Sequence, residues 1–434
     1  MATVIENDNC RYEVVKVLNP DNQVLNVSLV ASQQDTAPVT LDAFGRLRTS
    51  QPLTLFDSSH RYADNNLFNT STATGGTAVF NANQGLVDLT VTSSSGSRVY
   101  RETTKVFAYE PGKSLLVMNT FRMQPAKTGL RQRVGYYGEK NGIYIQLENN
   151  ALSFVERSFV TGSVTETVAL QADWNVDKMD GNGPSGLTLD ITKAQIFWMD
   201  IEWLGLGTVR CGFVINGRLV PCHSFHHANI IESTYITTAS LPIRYEIENT
   251  AATSGSSTLK QICSSVVTEG GYELRGLQQS VEIPIATPID LPVASTYYPI
   301  ISIRLKTSPD RLDAIVLLTA LSIMGVTNNA NYSWKLVASG ATTGGTWVSA
   351  GSNSAVEYNL SGTSFTGGRS LASGFLNGSN QGSAPVDILK EALFKFQLER
   401  NSFTSTPFEL TLIAASGSSG ADIFASMDWE EVSR

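Results

Sequence analysis

Asp200 and Glu202 stand two residues apart in the segment Gln195 to Pro221, QIFWMDIEWLGLGTVRCGFVINGRLVP. On a β-strand, residues i and i+2 leave the same face about 7 Å apart, within range for paired acid chemistry. The preceding position of that alternation holds Trp198, so no further carboxylate continues the row, and exposed or cross-strand-paired acids are expected in place of a catalytic pair. Cys222, His223, His226 and His227 gather one of the four cysteines and three of the four histidines within six residues, types that can hold zinc. Strand alternation sends Cys222 and His226 one way and His223 and His227 the other, and no Cys-x-x-Cys or His-Glu-x-x-His spacing accompanies them. No metal and no cofactor are expected. Arg122, Lys127, Arg131 and Arg133 lie between Asn119 and Tyr137, where they could bind a phosphate or an acidic sugar. Solvated flanking positions are the simpler reading of these four. The sequence holds no nucleophile elbow, phosphate-binding loop or dinucleotide fingerprint between a strand and a helix.

The most specific local feature is Leu41 to Asp57, LDAFGRLRTSQPLTLFD. Gly45 invites a turn between Phe44 and Arg46, and Pro52 forbids a central strand at its position. Asp42, Arg46 and Arg48, flanking Phe44 and Leu47, are placed to make directional ion pairs with a neighbour. With Phe56 and Asp57 they form a candidate assembly motif; an intrachain clasp onto the domain that follows is an equal alternative.

The elements that must position these residues are strands. The chain has 434 residues, 42% of them hydrophobic and 9% aromatic, enough to build a core in two or three domains. Charged residues are 16%, below the roughly 25% of ordinary soluble proteins, whereas Ser and Thr make up about a fifth of the chain. That composition suits an all-β protein with a hydroxylated surface. A net charge of −8 provides no basic field for a nucleic-acid backbone. The longest charge-free stretch, Ala314 to Trp334, turns polar in its second half, so no membrane insertion is expected. Met1 to Cys10 shows no secretory signal, and the four cysteines are expected to be reduced and buried.

Residues 1–59 mix short extended pieces with turn formers and read as an extended arm. From Leu86 onward period-two patterns follow one another. Asn141-Gly142, Asn149-Asn150 and Asn216-Gly217 mark hairpins. In the densest segment Phe197, Met199, Ile201 and Trp203 form an apolar face, while Ile196, Trp198, Asp200 and Glu202 form a face left partly exposed. The first sandwich is assigned to 60–283, a proline-rich connector to 284–299 and a second sandwich to 300–434, with Val386 to Leu398 as the one fair helix candidate.

The run DAFGRLRTSQPLTLFDS resembles a motif of virion structural proteins of tailed bacteriophages, including those of cyanobacterial phages. FWMDIEWLGLGTVRCGFVINGRLVPCHSFHHAN and ITTASLPIRYEIEN resemble the sandwich that follows it there. The resemblance spans Leu41 to Asn249 and implies a concanavalin-like antiparallel sandwich; the second, jelly-roll-like β-sandwich is expected from the strand pattern alone. Laminarinase-type glycosidases of that fold use alternating carboxylates on one strand, and Trp198 stands where their nucleophilic Glu would be. The expected protein is a non-enzymatic structural component of a phage virion, in tail, neck, minor capsid or fibre. Its partners would be copies of itself, as a homotrimer or ring, and other virion proteins. A carbohydrate-binding, host-adhesion module recognising a host surface glycan is the alternative, and a glycan hydrolase the second alternative.

Overall fold

In a computed structural model of the chain, the described residues are 3–7, 10–14, 17–18, 24–25, 50–271, 276–378 and 397–433. Met1–Gln51 and Pro52–Arg434 are two separate compact units. In the first, β1 (Thr3–Asn7) pairs antiparallel with β2 (Cys10–Val14), and β3 (Val17–Leu18) with β4 (Val24–Leu25). Asp42, Phe44, Gly45, Arg46 and Arg48 lie outside the described residues.

The larger unit is all-β and built from two antiparallel sandwiches. The strands of the first are β5 (Leu53–Ser59), β6 (Phe68–Ala73), β7 (Thr77–Asn81), β8 (Leu86–Val91), β9 (Arg98–Thr103), β10 (Leu115–Arg122), β11 (Leu130–Tyr137), β12 (Gly142–Glu148), β13 (Ala151–Ser158), β14 (Thr165–Leu170), β15 (Gln195–Ile201), β16 (Val209–Ile215), β17 (Arg218–Phe225), β18 (Ile243–Asn249) and β19 (Ser257–Thr268). One sheet runs β17-β16-β15-β10-β19-β8-β7 with β5 also on β19; the other runs β14-β13-β12-β11-β18-β9-β6. Strict alternation builds the core between them. In β10, Leu115, Val117 and Phe121 are buried inward together with Asn119, and their neighbours in the strand are half-buried. Phe154, Trp174, Phe197 and Phe213 stack at its centre. This is the expected concanavalin-like arrangement of two large antiparallel sheets face to face.

The second sandwich contains β20 (Leu277–Glu282), β21 (Ile289–Leu291), β22 (Tyr298–Leu305), β23 (Ile315–Gly325), β24 (Asn331–Thr343), β25 (Val348–Ser349), β26 (Val356–Asn359), β27 (Ser364–Asn377), β28 (Glu409–Ser416) and β29 (Ala421–Ser433). A four-stranded sheet (β20, β21, β23, β29) faces a six-stranded one (β25-β26-β22-β28-β24-β27) across a core of Ile301, Leu336, Leu412 and Trp429.

Three assignments made from the sequence move. β5 pairs with β19 from Leu53 to Ser59, so the sandwich begins before residue 60, and Phe56 belongs to its core beside Phe68 and Phe107. β20 pairs with β29, which transfers residues 277–282 to the second sandwich. The connector at 284–299 contains β21 and the start of β22; its prolines sit between these pieces, where no ladder N–H is required. The helix candidate Val386 to Leu398 lies outside the described residues except for its last two, and Leu398 is buried, its N–H donating to Val316 O. Among the described residues, no helix is long and apolar enough to cross a membrane.

The hairpins fall where the Asn residues mark them, with one shift. Asn216 (φ 51°) and Gly217 (φ 74°) make the two-residue turn between β16 and β17. At 138–141 the turn closes through Gly138 N–H to Asn141 O, and Gly142 already pairs with Tyr137 as the first residue of β12.

Candidate functional site

The strand acids, the histidine run and the basic residues between Asn119 and Tyr137 are engaged within the protein. Asp200 is ion-paired across the sheet to Arg210, its register partner on β16. Glu202 is exposed, just past the end of β15. Trp198 is covered, lying over Gly212, where an added Cβ would stand 2.7 Å from its ring, and its Nε1–H donates to Phe213 O at 3.1 Å. The strand therefore carries a cross-strand pair and a packed indole.

The histidines part company. His223 is buried against Phe225, and its Nδ1 accepts the Asn175 amide at 3.3 Å. His226 Nδ1 is 3.3 Å from the Thr208 hydroxyl. His227 is buried between Gly207 O, 2.5 Å from Nδ1, and Glu156 Oε2, 2.8 Å from Nε2, and its ring stacks on Tyr235 at 4.0 Å. Burial alone would lower its pKa; the Glu156 carboxylate and the Gly207 carbonyl outweigh that and raise it. Cys222 is buried, and burial pushes its thiol up to about 12. Among the described residues, no three His, Cys, Asp or Glu side chains are grouped to hold a metal ion.

Of the four basic residues expected to be solvated, Arg133 is buried and the other three are half-buried, each with a partner. Arg122 Nε donates to Thr192 O at 2.7 Å, and Lys127 Nζ to Ser256 O at 2.9 Å. Arg131 and Arg133 join a mesh on the outer face of the second sheet, because strand alternation brings charged residues of β18 opposite theirs. Arg133 meets Glu246 at 2.6 Å, Arg131 meets Glu248 at 2.7 Å, and Arg244 meets Glu246 at 2.9 Å and Glu102 at 3.3 Å. The Arg244 guanidinium lies 3.8 Å over the Tyr100 ring, and Arg157 binds Glu166 beneath Tyr144. Glu246 is 1% exposed; burial would raise its pKa, but Arg133 and Arg244 hold it down at about 2. Sequence alone could not pair these charges, because β11 and β18 are more than a hundred residues apart.

A different collection lines a cavity of about 370 Å³ at the seam between the sandwiches. One wall is aromatic. Trp203 follows β15 and begins a tight loop in which Gly207 N–H donates back to Trp203 O at 2.7 Å. Gly205 has φ 78°, and a Cβ on Gly207 would strike Glu202 O at 2.3 Å, which is why WLGLG can turn there. The Trp203 amide donates to Tyr109 Oη at 3.0 Å, and the two rings meet edge to face at 5.9 Å. His227, through Gly207, pins this loop. The opposite wall is polar: Thr237, Thr238 and Ser240 from the first sandwich, Asp310, Arg311 and Asp313 from the second. Asp313 bridges the seam, accepting from Thr238 Oγ1 at 2.6 Å and from Arg400 Nε at 3.0 Å. The sequence reading placed Trp203 on the apolar core face and missed this site; the indole just beyond the strand end, before Gly-rich residues, was the available signal.

No family model and no curated protein matches the sequence. Solved structures with similar backbones include the Emp47p carbohydrate recognition domain (11% identity, 51% of this chain and 97% of that one, TM-score 0.33). A Bacillus licheniformis β-glucanase is also similar (12%, 51% and 99%, TM-score 0.32), as is the CBM2 module of the evolved Dit of Lactobacillus casei phage J-1 (6%, 52% and 100%, TM-score 0.33).

Proposed function

We propose that this chain is a non-catalytic glycan-binding module that serves adhesion, carried on a phage virion with other virion proteins and copies of itself as assembly partners. The observation that carries the reading is the seam cavity, with the Trp203–Tyr109 corner on one side and hydroxyl, carboxylate and guanidinium groups on the other. A sugar ring has an apolar C–H face and a rim of hydroxyls, and a pocket of this size with one aromatic wall and a few polar groups answers both. Catalysis has less support, because Asp313 is held by Thr238 and Arg400 and Asp200 by Arg210, which ties up both carboxylates as structural partners. The virion setting rests on the resemblance of Leu41 to Asn249.

The test is retention of the purified chain on a panel of immobilised host-surface polysaccharides, compared with Trp203→Ala. Binding to at least one glycan, weakened about tenfold or more in the variant, is expected, since a central aromatic anchor contributes above about 1 kcal/mol. A chain that binds no glycan, or a variant that binds equally well, overturns the reading.

A further inference from the structure

Resting on that reading, we infer that the seam cavity selects an anionic saccharide, with a carboxylate or sulfate group of the sugar received by Arg311. The inference comes from which polar groups of the cavity are already engaged. On Asp313, Oδ2 accepts the Thr238 hydroxyl and Oδ1 accepts Arg400 Nε. One oxygen of Asp310 accepts the Leu312 amide at 3.0 Å, and the rest of that carboxylate is exposed to water, which screens it. The donors are in the opposite condition. Arg311 lines the cavity half-buried, and among the described residues its guanidinium makes one hydrogen bond, from Nη1 to the Asp310 carbonyl at 3.1 Å, and no ion pair. Four of its five N–H groups remain for a ligand. Tyr109 receives the Trp203 amide on its oxygen and keeps its own proton, which burial holds more firmly than usual. Thr237 Oγ1 likewise accepts from Asn141 and retains its hydrogen.

A neutral sugar offers hydroxyls, each both donor and acceptor, and here its acceptor side meets more unengaged partners than its donor side does. A carboxylate or sulfate offers acceptors only, and a half-buried guanidinium meets it in a two-pronged, charge-assisted geometry. Arg400, the other arginine close to this cavity, is held by Asp313, so the selectivity falls on Arg311.

The experiment is calorimetric titration of the full chain, at low salt, with two matched pairs: an oligogalacturonate against its methyl ester, and sialyllactose against lactose. A sulfated disaccharide against its desulfated form separates sulfate from carboxylate as the group received. The charged member of at least one pair is expected to bind about tenfold tighter than its neutral counterpart. Arg311→Gln should erase that preference by lowering the charged member's affinity about tenfold or more, with the urea midpoint unchanged as the check on folding; Arg311→Lys should restore part of it. Equal affinity within every pair, or a preference that survives Arg311→Gln, overturns the inference and leaves glycan binding standing. No binding of any saccharide, charged or neutral, overturns both.

Discussion

The outer face of the β14-to-β6 sheet and the seam cavity hold the same kinds of side chain and have opposite characters. Both bring arginines, carboxylates and aromatic rings together. On the sheet face, Arg133, Arg244, Glu246 and Glu102 are ion-paired with one another and buried almost completely, with Arg133 Nε left without a hydrogen-bond partner. In the cavity both oxygens of Asp313 are engaged, whereas Arg311 makes one hydrogen bond and, among the described residues, no ion pair. Residue type therefore says little about where a ligand goes; the state of each group's partners says much more.

The comparison breaks most readily at Glu246. Glu246→Ala leaves two buried guanidiniums sharing what remains of their counter-charge, and the expected cost is about 3–5 kcal/mol in urea unfolding. A loss under about 1 kcal/mol would show that these buried charges do not depend on one another. Glycan binding at the seam should persist wherever the variant is folded. Trp203→Ala should reverse the pattern, costing about 1–2 kcal/mol of stability while removing most binding.

His227 sharpens the comparison through pH. Its folded-state pKa is raised above 6.5, so its contribution is complete below about pH 6.5 and is lost as pH rises through the folded value. His60 has the opposite sign. Burial and Arg101, opposed by Asp64, lower it to about 4, so its neutral form costs stability as pH falls from 6.5 towards 4. Unfolding curves from pH 5.5 to 8.5 should therefore show the wild type losing about 1 kcal/mol, the scale of one net hydrogen bond, relative to His227→Gln as pH rises. Parallel curves would show that the Glu156–His227 contact is not a charged one. Because Gly207 closes the Trp203 loop, glycan affinity should fall with it. The smallest effect is expected from Asp200→Asn. Arg210 is about half exposed, so the change should be within about 0–1 kcal/mol.

What the sequence made legible was local. Period-two alternation located the strands, and Asn216-Gly217 fixed a turn, because both signals act over a few residues. The inward set Phe197, Met199 and Ile201 was readable for the same reason. Arg133 was misread as solvated because its partner Glu246 follows 113 residues later. The cavity was invisible because Tyr109, Trp203, Thr238 and Arg311 meet only after two sandwiches have packed. The boundary at residue 59 failed because Phe56, taken as an anchor for a neighbour, finds its pocket beside Phe68 and Phe107.

Asp313 takes a hydroxyl from one sandwich and a guanidinium from the other, and it does so in the wall of the cavity. If the cavity holds the proposed saccharide, its occupancy and closure of the seam are linked by mass action. A saccharide that touches Trp203 on one side and Arg311 on the other is a strut between the two halves, and whatever free energy it gains on binding must be surrendered before they can separate. In the proposed adhesive role, load on the chain would then be carried by a joint that its own ligand stiffens.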